Sequence, residues 1–125
     1  MLLLGSAPRG ADERWLFELQ LWVLSQGASS WLAELEPYER TRVAGGVETL
    51  RLDPLQGRIE ASVTDGTAAV VARWSIRRPT PELAVAPGRR VVLEGTTAIG
   101  EAGEVILQEP AFQVFESAGA CVRRP

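Results

Sequence analysis

The chain has 125 residues, of which 46% are hydrophobic and 23% charged, and 16 acidic against 13 basic residues give it a net charge of −3. This length and composition predict one small globular domain, with or without a terminal extension, that is large enough to bury a core. There is no His and a single Cys, Cys121, which argues against His-based catalysis, an internal disulfide and the usual zinc sites. We therefore expect no metal and no cofactor.

The first predicted element is a helix over Glu13–Gln26, a stretch without Pro or Gly. Five apolar residues recur there at helical spacing and form one stripe: Trp15, Leu16, Leu19, Trp22 and Val23. Phe17, Leu21 and Leu24 lie off that stripe, so a strand over residues 14–24 remains an alternative. A second short helix is predicted over Trp31–Glu36, where Pro37 ends it.

Three of the four Trp residues, Trp15, Trp22 and Trp31, lie in this N-terminal segment. They either pack on the domain that follows or form an interface with a protein partner or a second copy of the chain. Neither Met1–Leu4 nor Trp15–Leu24 has the length or the flanking charges of a signal peptide or a membrane span. We therefore expect a cytoplasmic protein that does not contact a membrane.

From Thr41 the pattern changes to that of β-strands. Five strands are predicted, at Val43–Leu52, at two segments within residues 57–74, at Arg89–Ile99 and at Glu104–Phe115. Gly45-Gly46 predicts a bulge or corner in the first strand, and Pro110 an edge or bulge in the fifth. Ser75–Gly88 contains three prolines and predicts an irregular connection.

Asp65-Gly66 predicts that strands two and three form a hairpin with a two-residue type I′ turn, because that turn needs positive φ at both central residues. Such a turn would place Val63 opposite Ala68 and Ile59 opposite Ala72. The period-two alternation predicts a core face of Ile59, Ala61, Val63, Ala68, Val70, Ala72 and Trp74. It predicts an outer face of Arg58, Glu60, Ser62, Thr64, Ala69, Val71 and Arg73.

Five strands with an irregular connection between the third and the fourth are typical of the OB-fold, a five-stranded Greek-key barrel. We therefore predict a mainly β protein built around such a barrel. Residues 1–40 would form an N-terminal helical extension, residues 41–116 the OB-fold barrel and residues 117–125 a flexible tail.

Turn and bulge segments mark the predicted barrel at Gly45-Gly46-Val47, Asp65-Gly66-Thr67, Val71-Ala72-Arg73-Trp74, Ala86-Pro87-Gly88-Arg89, Leu93-Glu94-Gly95 and Glu109-Pro110-Ala111-Phe112. With these segments, Val43–Phe115 resembles the nucleic-acid-binding OB-folds of the tRNA anticodon-binding-like type, and it is similar in particular to small actinobacterial OB-fold proteins. The resemblance implies a non-catalytic module for single-stranded DNA or RNA. In such domains the ligand crosses strands two and three between two flanking loops.

The outer face of the predicted hairpin offers Arg58 and Arg73 for such a ligand, with Arg51 on strand one and Arg77 and Arg78 following Trp74. Arginine suits this role because its guanidinium pairs with phosphate and stacks on bases.

The candidate aromatic residues are Trp74 and Phe112, although Trp74 falls on the predicted core side, and Phe115 is a further possibility. From residue 41 onward basic and acidic residues are equal at ten each, and Glu101 and Glu104 lie at the loop between strands four and five. We therefore expect nucleic-acid binding to be weak and sensitive to salt.

An enzyme is not expected, because the chain has no His and no Gly-rich phosphate loop between a strand and a helix. The alternative function is a protein-interaction or assembly subunit that uses the Trp-rich N-terminal segment and the barrel surface. The net charge of −3 over residues 1–40 favours this alternative, and a fold alone does not decide between the two.

Overall fold

The computed structural model describes residues 2–6, 13–76, 87–115 and 121–123, with side chains over residues 16–76 and 87–115. This part of the chain is mainly β with one α-helix. Its elements are β1 (Leu2–Ser6), α1 (Glu13–Leu24), a 3₁₀ turn (Leu32–Glu34), β2 (Arg40–Asp53), β3 (Arg58–Thr64), β4 (Ala69–Ser75), β5 (Arg90–Ile99), β6 (Val105–Gln108), β7 (Ala111–Phe115) and β8 (Cys121–Arg123).

Five of the strands form a closed ring. β2 pairs with β3, β3 with β4, β4 with β6, β6 with β5, and β5 with β2 again. Only the β4–β6 pair of this ring is parallel. β1 adds to the sheet beside β2, and β8 adds beside β7. Predicted strands one to four therefore correspond to β2, β3, β4 and β5, whereas β1 and β8 lie in segments for which no strand was predicted.

β2 belongs to two parts of the ring, because its first half pairs with β5 and its second half with β3, and the change falls at Gly46. A methyl group on Gly45 would lie 2.6 Å from the carbonyl oxygen of Thr64, so a larger residue does not fit at this close approach of two backbones. The register shift lies between Val47 and Thr49, just beyond the glycine pair at which the sequence predicted it.

The predicted fifth strand is divided into β6 and β7. Glu109 has a φ of +50°, and the pairing of β5 changes by one residue between Leu107 and Ala111. Pro110 lies at this bulge, where its missing N–H removes no ladder hydrogen bond. β6 can therefore pair with both β4 and β5, while β7 continues along β5 and pairs with β8 on its other side.

The hairpin of β3 and β4 has the predicted faces but not the predicted register. Val63 lies opposite Val70 and Ile59 opposite Trp74, which is a shift of two residues, and the connection spans residues 65–68 instead of Asp65-Gly66. A shift by an even number leaves every side chain on its face. Burial accordingly alternates along both strands as predicted.

The type I′ prediction is wrong, because Asp65 does not adopt a positive φ and its carboxylate instead binds backbone and side-chain donors. Its carboxylate is buried and accepts hydrogen bonds from the Leu32 backbone N–H at 2.8 Å, the Thr67 N–H at 2.9 Å and the Thr67 hydroxyl at 2.6 Å. Only Gly66 of the predicted pair has a positive φ, of +91°. The hairpin tip is thus tied to the N-terminal segment.

Residues 14–24 form a helix and not a strand. Leu19 and Val23 lie four residues apart on one face of α1, are buried, and pack against Ala44 of β2 and Val92 of β5. The ring encloses a separate core built from alternate residues of its strands, into which Leu32 of the 3₁₀ turn also packs.

Candidate nucleic-acid interface

Two predicted site residues, Arg51 and Arg73, lie in one row across the outer face of the sheet, with Glu60 between them. Arg51 of β2 is directly opposite Glu60 of β3, and Glu60 is directly opposite Arg73 of β4. Arg58 lies on the same face, two residues before Glu60. The fold therefore places Arg51 on the same face as Arg58 and Arg73, the two residues that the period-two alternation assigned to the outer face.

Carboxylates neutralise two of these arginines. Glu60 Oε2 lies 2.8 Å from Arg73 Nε and 3.4 Å from Arg58 Nε. Asp53 Oδ2 lies 4.0 Å from Arg58 Nε. These four side chains are 11–19% exposed, so water screens their attraction only in part.

Glu101 completes the cluster from the loop between β5 and β6. One of its carboxylate oxygens, Oε1, lies 3.1 Å from an Nη of Arg58 and 3.5 Å from an Nη of Arg73. The loop is held in a turn, because Gly100 N–H donates to the carbonyl of Glu104 and Ala102 N–H donates to the Glu104 side chain. In contrast to the arginines, the Glu101 side chain is 71% exposed.

Arg58, Arg73, Asp53, Glu60 and Glu101 together carry two positive and three negative charges. The centre of the predicted face therefore has no positive excess that would attract a phosphate backbone over a distance. Glu101 occupies the position between two guanidinium groups that an anion would take. The sequence marked Glu101 as unfavourable to phosphate, but its contact with both arginines depends on the tertiary structure.

A shallow groove runs beside this cluster over β2, β3 and β4. Its lining consists of Arg51, Thr49, Ser62 and Val71 together with the two carboxylates Glu48 and Glu60. Arg51 is exposed. At the tip of the loop between β2 and β3, Leu55 is 95% exposed, and sequence reasoning did not single it out. This groove and loop offer polar and apolar contact next to the paired arginines.

The predicted aromatic residues do not form a stacking platform on this face. Trp74 is buried, and its indole N–H donates to the carbonyl of Pro110 at 3.0 Å. Phe112 is partly buried and packs edge-to-face on Trp74, with a centroid distance of 5.5 Å. Both rings therefore belong to the core side, as the alternation predicted for Trp74. Arg77 and Arg78 lie outside the described residues.

Two tryptophans of the N-terminal segment are used within the chain. Trp22 and Trp31 are partly buried against the cluster under α1, and Trp22 meets Phe115 edge-to-face at 5.4 Å. The Arg90 guanidinium lies 5.5 Å from the Trp22 ring centroid. Burial lowers the pKa of Arg90, and the charge of Glu18 opposes that shift. The side chain of Trp15 lies outside the described residues.

Two findings concern metal ions and membranes in the described part of the chain. No group of three or more acidic or Cys side chains there is arranged to hold a metal ion. Within the same residues, α1 and the 3₁₀ turn are the helices, and neither is long and apolar enough to cross a membrane.

Comparisons with known proteins bear on the fold alone. No protein-family model and no curated protein matches the chain. The OBody AM1L10 bound to hen egg-white lysozyme superposes with a TM-score of 0.56 at 21% identity, over 71% of this chain and 94% of that one. RecG bound to a three-way DNA junction superposes with a TM-score of 0.53 at 17% identity, over 74% of this chain. Both contain OB-folds. The fold of this chain is OB-like. The match covers only 14% of the length of the RecG chain.

Proposed function

We propose that the chain is a non-catalytic OB-fold module that binds single-stranded DNA or RNA weakly through the outer face of β3 and β4. The proposal includes a Greek-key barrel for the five-stranded ring. It is supported by the ring order, in which the long β2 is shared between β3 and β5, and by the likeness to RecG, whose structure was solved on a DNA junction.

The observation that carries the proposal is the pair of guanidinium groups around Glu101. Arg58 and Arg73 lie within 3.5 Å of the same carboxylate oxygen, so the fold holds two cations at the spacing at which one anion contacts both. A phosphate oxygen can replace the carboxylate, because Glu101 is on an exposed loop and gives up little burial when it leaves. Arg51 and the groove beside it would receive the next part of the strand.

The test is fluorescence anisotropy of a labelled single strand of about 20 nucleotides, long enough to span one OB-fold site, titrated at low and at physiological salt. Glu101→Gln removes the competing charge, and we expect it to tighten binding by roughly 3- to 10-fold. Arg51→Ala should weaken binding and reduce the salt dependence by about one phosphate contact.

Glu94→Gln is the matched control. Glu94 is 46% exposed and pairs with Arg42 at 3.6 Å, so the substitution changes the net charge equally without touching the β3–β4 face. A Glu101→Gln protein that binds no better than Glu94→Gln would remove the anion site from the proposal. Absence of binding at low salt by both the native chain and Glu101→Gln would refute the proposed function.

The alternative function is assembly with another protein chain. Trp22 and Trp31 pack against the chain's own core, so they are not the surface that favours this function. The favourable surface is the outer side of α1, where Phe17, Leu21 and Leu24 are exposed.

A further inference from the structure

The outer side of α1 carries three large apolar side chains in a row. Phe17, Leu21 and Leu24 follow one another at intervals of four and three residues, which places them on one face of the helix. Their side chains are 62%, 52% and 65% exposed, while Leu19 and Val23 on the opposite side are buried. We call Phe17, Leu21 and Leu24 the outer stripe. A surface helix normally carries polar residues on this side, so a row of this kind indicates an interface.

A groove adjoins the C-terminal end of the outer stripe. It has a volume of about 320 Å³, and its lining is mixed, with Val23, Leu24, Ala28 and Trp31 on the apolar part and Ser29, Ser30 and Glu34 on the polar part. This volume lies at the lower end of the range for pockets that hold small molecules, so the groove has room for an aromatic side chain. Phe17 lies at the other end of the stripe, seven residues or about 10 Å along the helix from Leu24.

We propose that a second copy of this chain covers the outer stripe, with the two α1 helices packed antiparallel about a two-fold axis that passes near Leu21. In a symmetric dimer the same patch must fit itself. Leu21 lies between Phe17 and Leu24, so rotation about it brings each Phe17 to the partner's Leu24 and its groove. Each copy therefore supplies both an inserted ring, from Phe17, and the groove beside Leu24 that receives the ring of its partner.

Charge favours the antiparallel arrangement over the parallel one. A parallel pair would align the dipoles of the two α1 helices unfavourably, whereas an antiparallel pair sets them in opposition. Three side chains from each copy form a small interface, so we expect a weak dimer that dissociates on dilution.

The first test measures the mass of the full chain by sedimentation velocity between about 1 µM and 1 mM, the range in which a weak dimer dissociates. The native chain should pass from monomer to dimer as concentration rises. Leu21→Arg places two like charges at the axis and should weaken dimerisation by roughly tenfold or more. Leu55→Arg is the matched control, because Leu55 is exposed and lies in the loop between β2 and β3. A chain that is monomeric throughout, or a dimer that survives Leu21→Arg, would overturn the proposal.

The second test asks for the geometry. In a Cys121→Ser background, Leu21→Cys brings the introduced thiols of the two copies together at the axis, so mild oxidation should link two chains by a disulfide. Phe17→Cys mixed with Leu24→Cys should give the mixed dimer in preference to either homodimer. Leu55→Cys should give no more than random cross-linking. Equal cross-linking at Leu21 and Leu55 would contradict the two-fold contact, and neither test requires nucleic acid, so the outcome is independent of the proposed binding function.

Discussion

The outer face of β3 and β4 and the outer stripe of α1 both lie on the surface, but their side chains differ in how many contacts they make within the chain. On the sheet, Arg58 and Arg73 are held by carboxylates from three separate segments. On the helix, Phe17, Leu21 and Leu24 remain exposed. A ligand for the sheet must therefore compete with the chain's own Glu101, whereas a partner for the helix has only water to displace. Under the two proposals, charge would limit the strength of binding at the first surface, and buried apolar area would drive association at the second.

The largest expected effect separates the two sides of α1. Leu19→Ala should lower the free energy of unfolding by about 2–4 kcal/mol, because it removes a buried side chain that packs on the sheet. Leu21→Ala should change it by less than about 0.5 kcal/mol at concentrations at which the chain is monomeric, because Leu21 is 52% exposed. Urea unfolding followed by tryptophan fluorescence measures both. Equal losses in the two variants would mean that both sides of the helix are buried.

The second prediction concerns the hydrogen bond that ties the tip of the β3–β4 hairpin to the N-terminal segment. Asp65→Ala should cost about 2–3 kcal/mol of unfolding free energy, because it leaves the Leu32 N–H buried without its acceptor. Asp65→Asn should cost less, because the amide keeps one acceptor oxygen. Chemical denaturation gives the values. Amide exchange at Leu32 should accelerate in Asp65→Ala, and unchanged protection there would count against the link.

The smallest effects are expected on the charged face. Arg73→Ala should lower stability by about 1–2 kcal/mol, because its side chain is 11% exposed and Glu60 then keeps only the longer contact with Arg58. Glu101→Gln should change stability by less than about 0.5 kcal/mol, because its carboxylate is 71% exposed. Thermal unfolding of the two variants in parallel tests the difference. A loss from Glu101→Gln as large as that from Arg73→Ala would show that the loop is a structural clamp and not a replaceable anion.

Much of the ring could be predicted from local pattern. The faces of β3 and β4 follow from alternation alone, and the bend of β2 was expected near Gly45 because glycine tolerates close approach. Positions that depend on distant partners could not be predicted. Asp65 has the sequence context of a hairpin turn, yet its carboxylate binds a backbone group 33 residues away. No local pattern contains that distance.

The sequence by itself determined which residues share a face, because side-chain direction repeats every two residues in a strand and every 3.6 in a helix. It therefore placed Arg58 and Arg73 outside and Trp74 inside. The tertiary structure alone decided what each face meets. α1 is apolar around most of its circumference, so only packing on Ala44 and Val92 selects its inner side and leaves Phe17 outside. Likewise, Glu101 adds a third carboxylate beside Arg58 and Arg73, and only the closure of the ring brings it within reach.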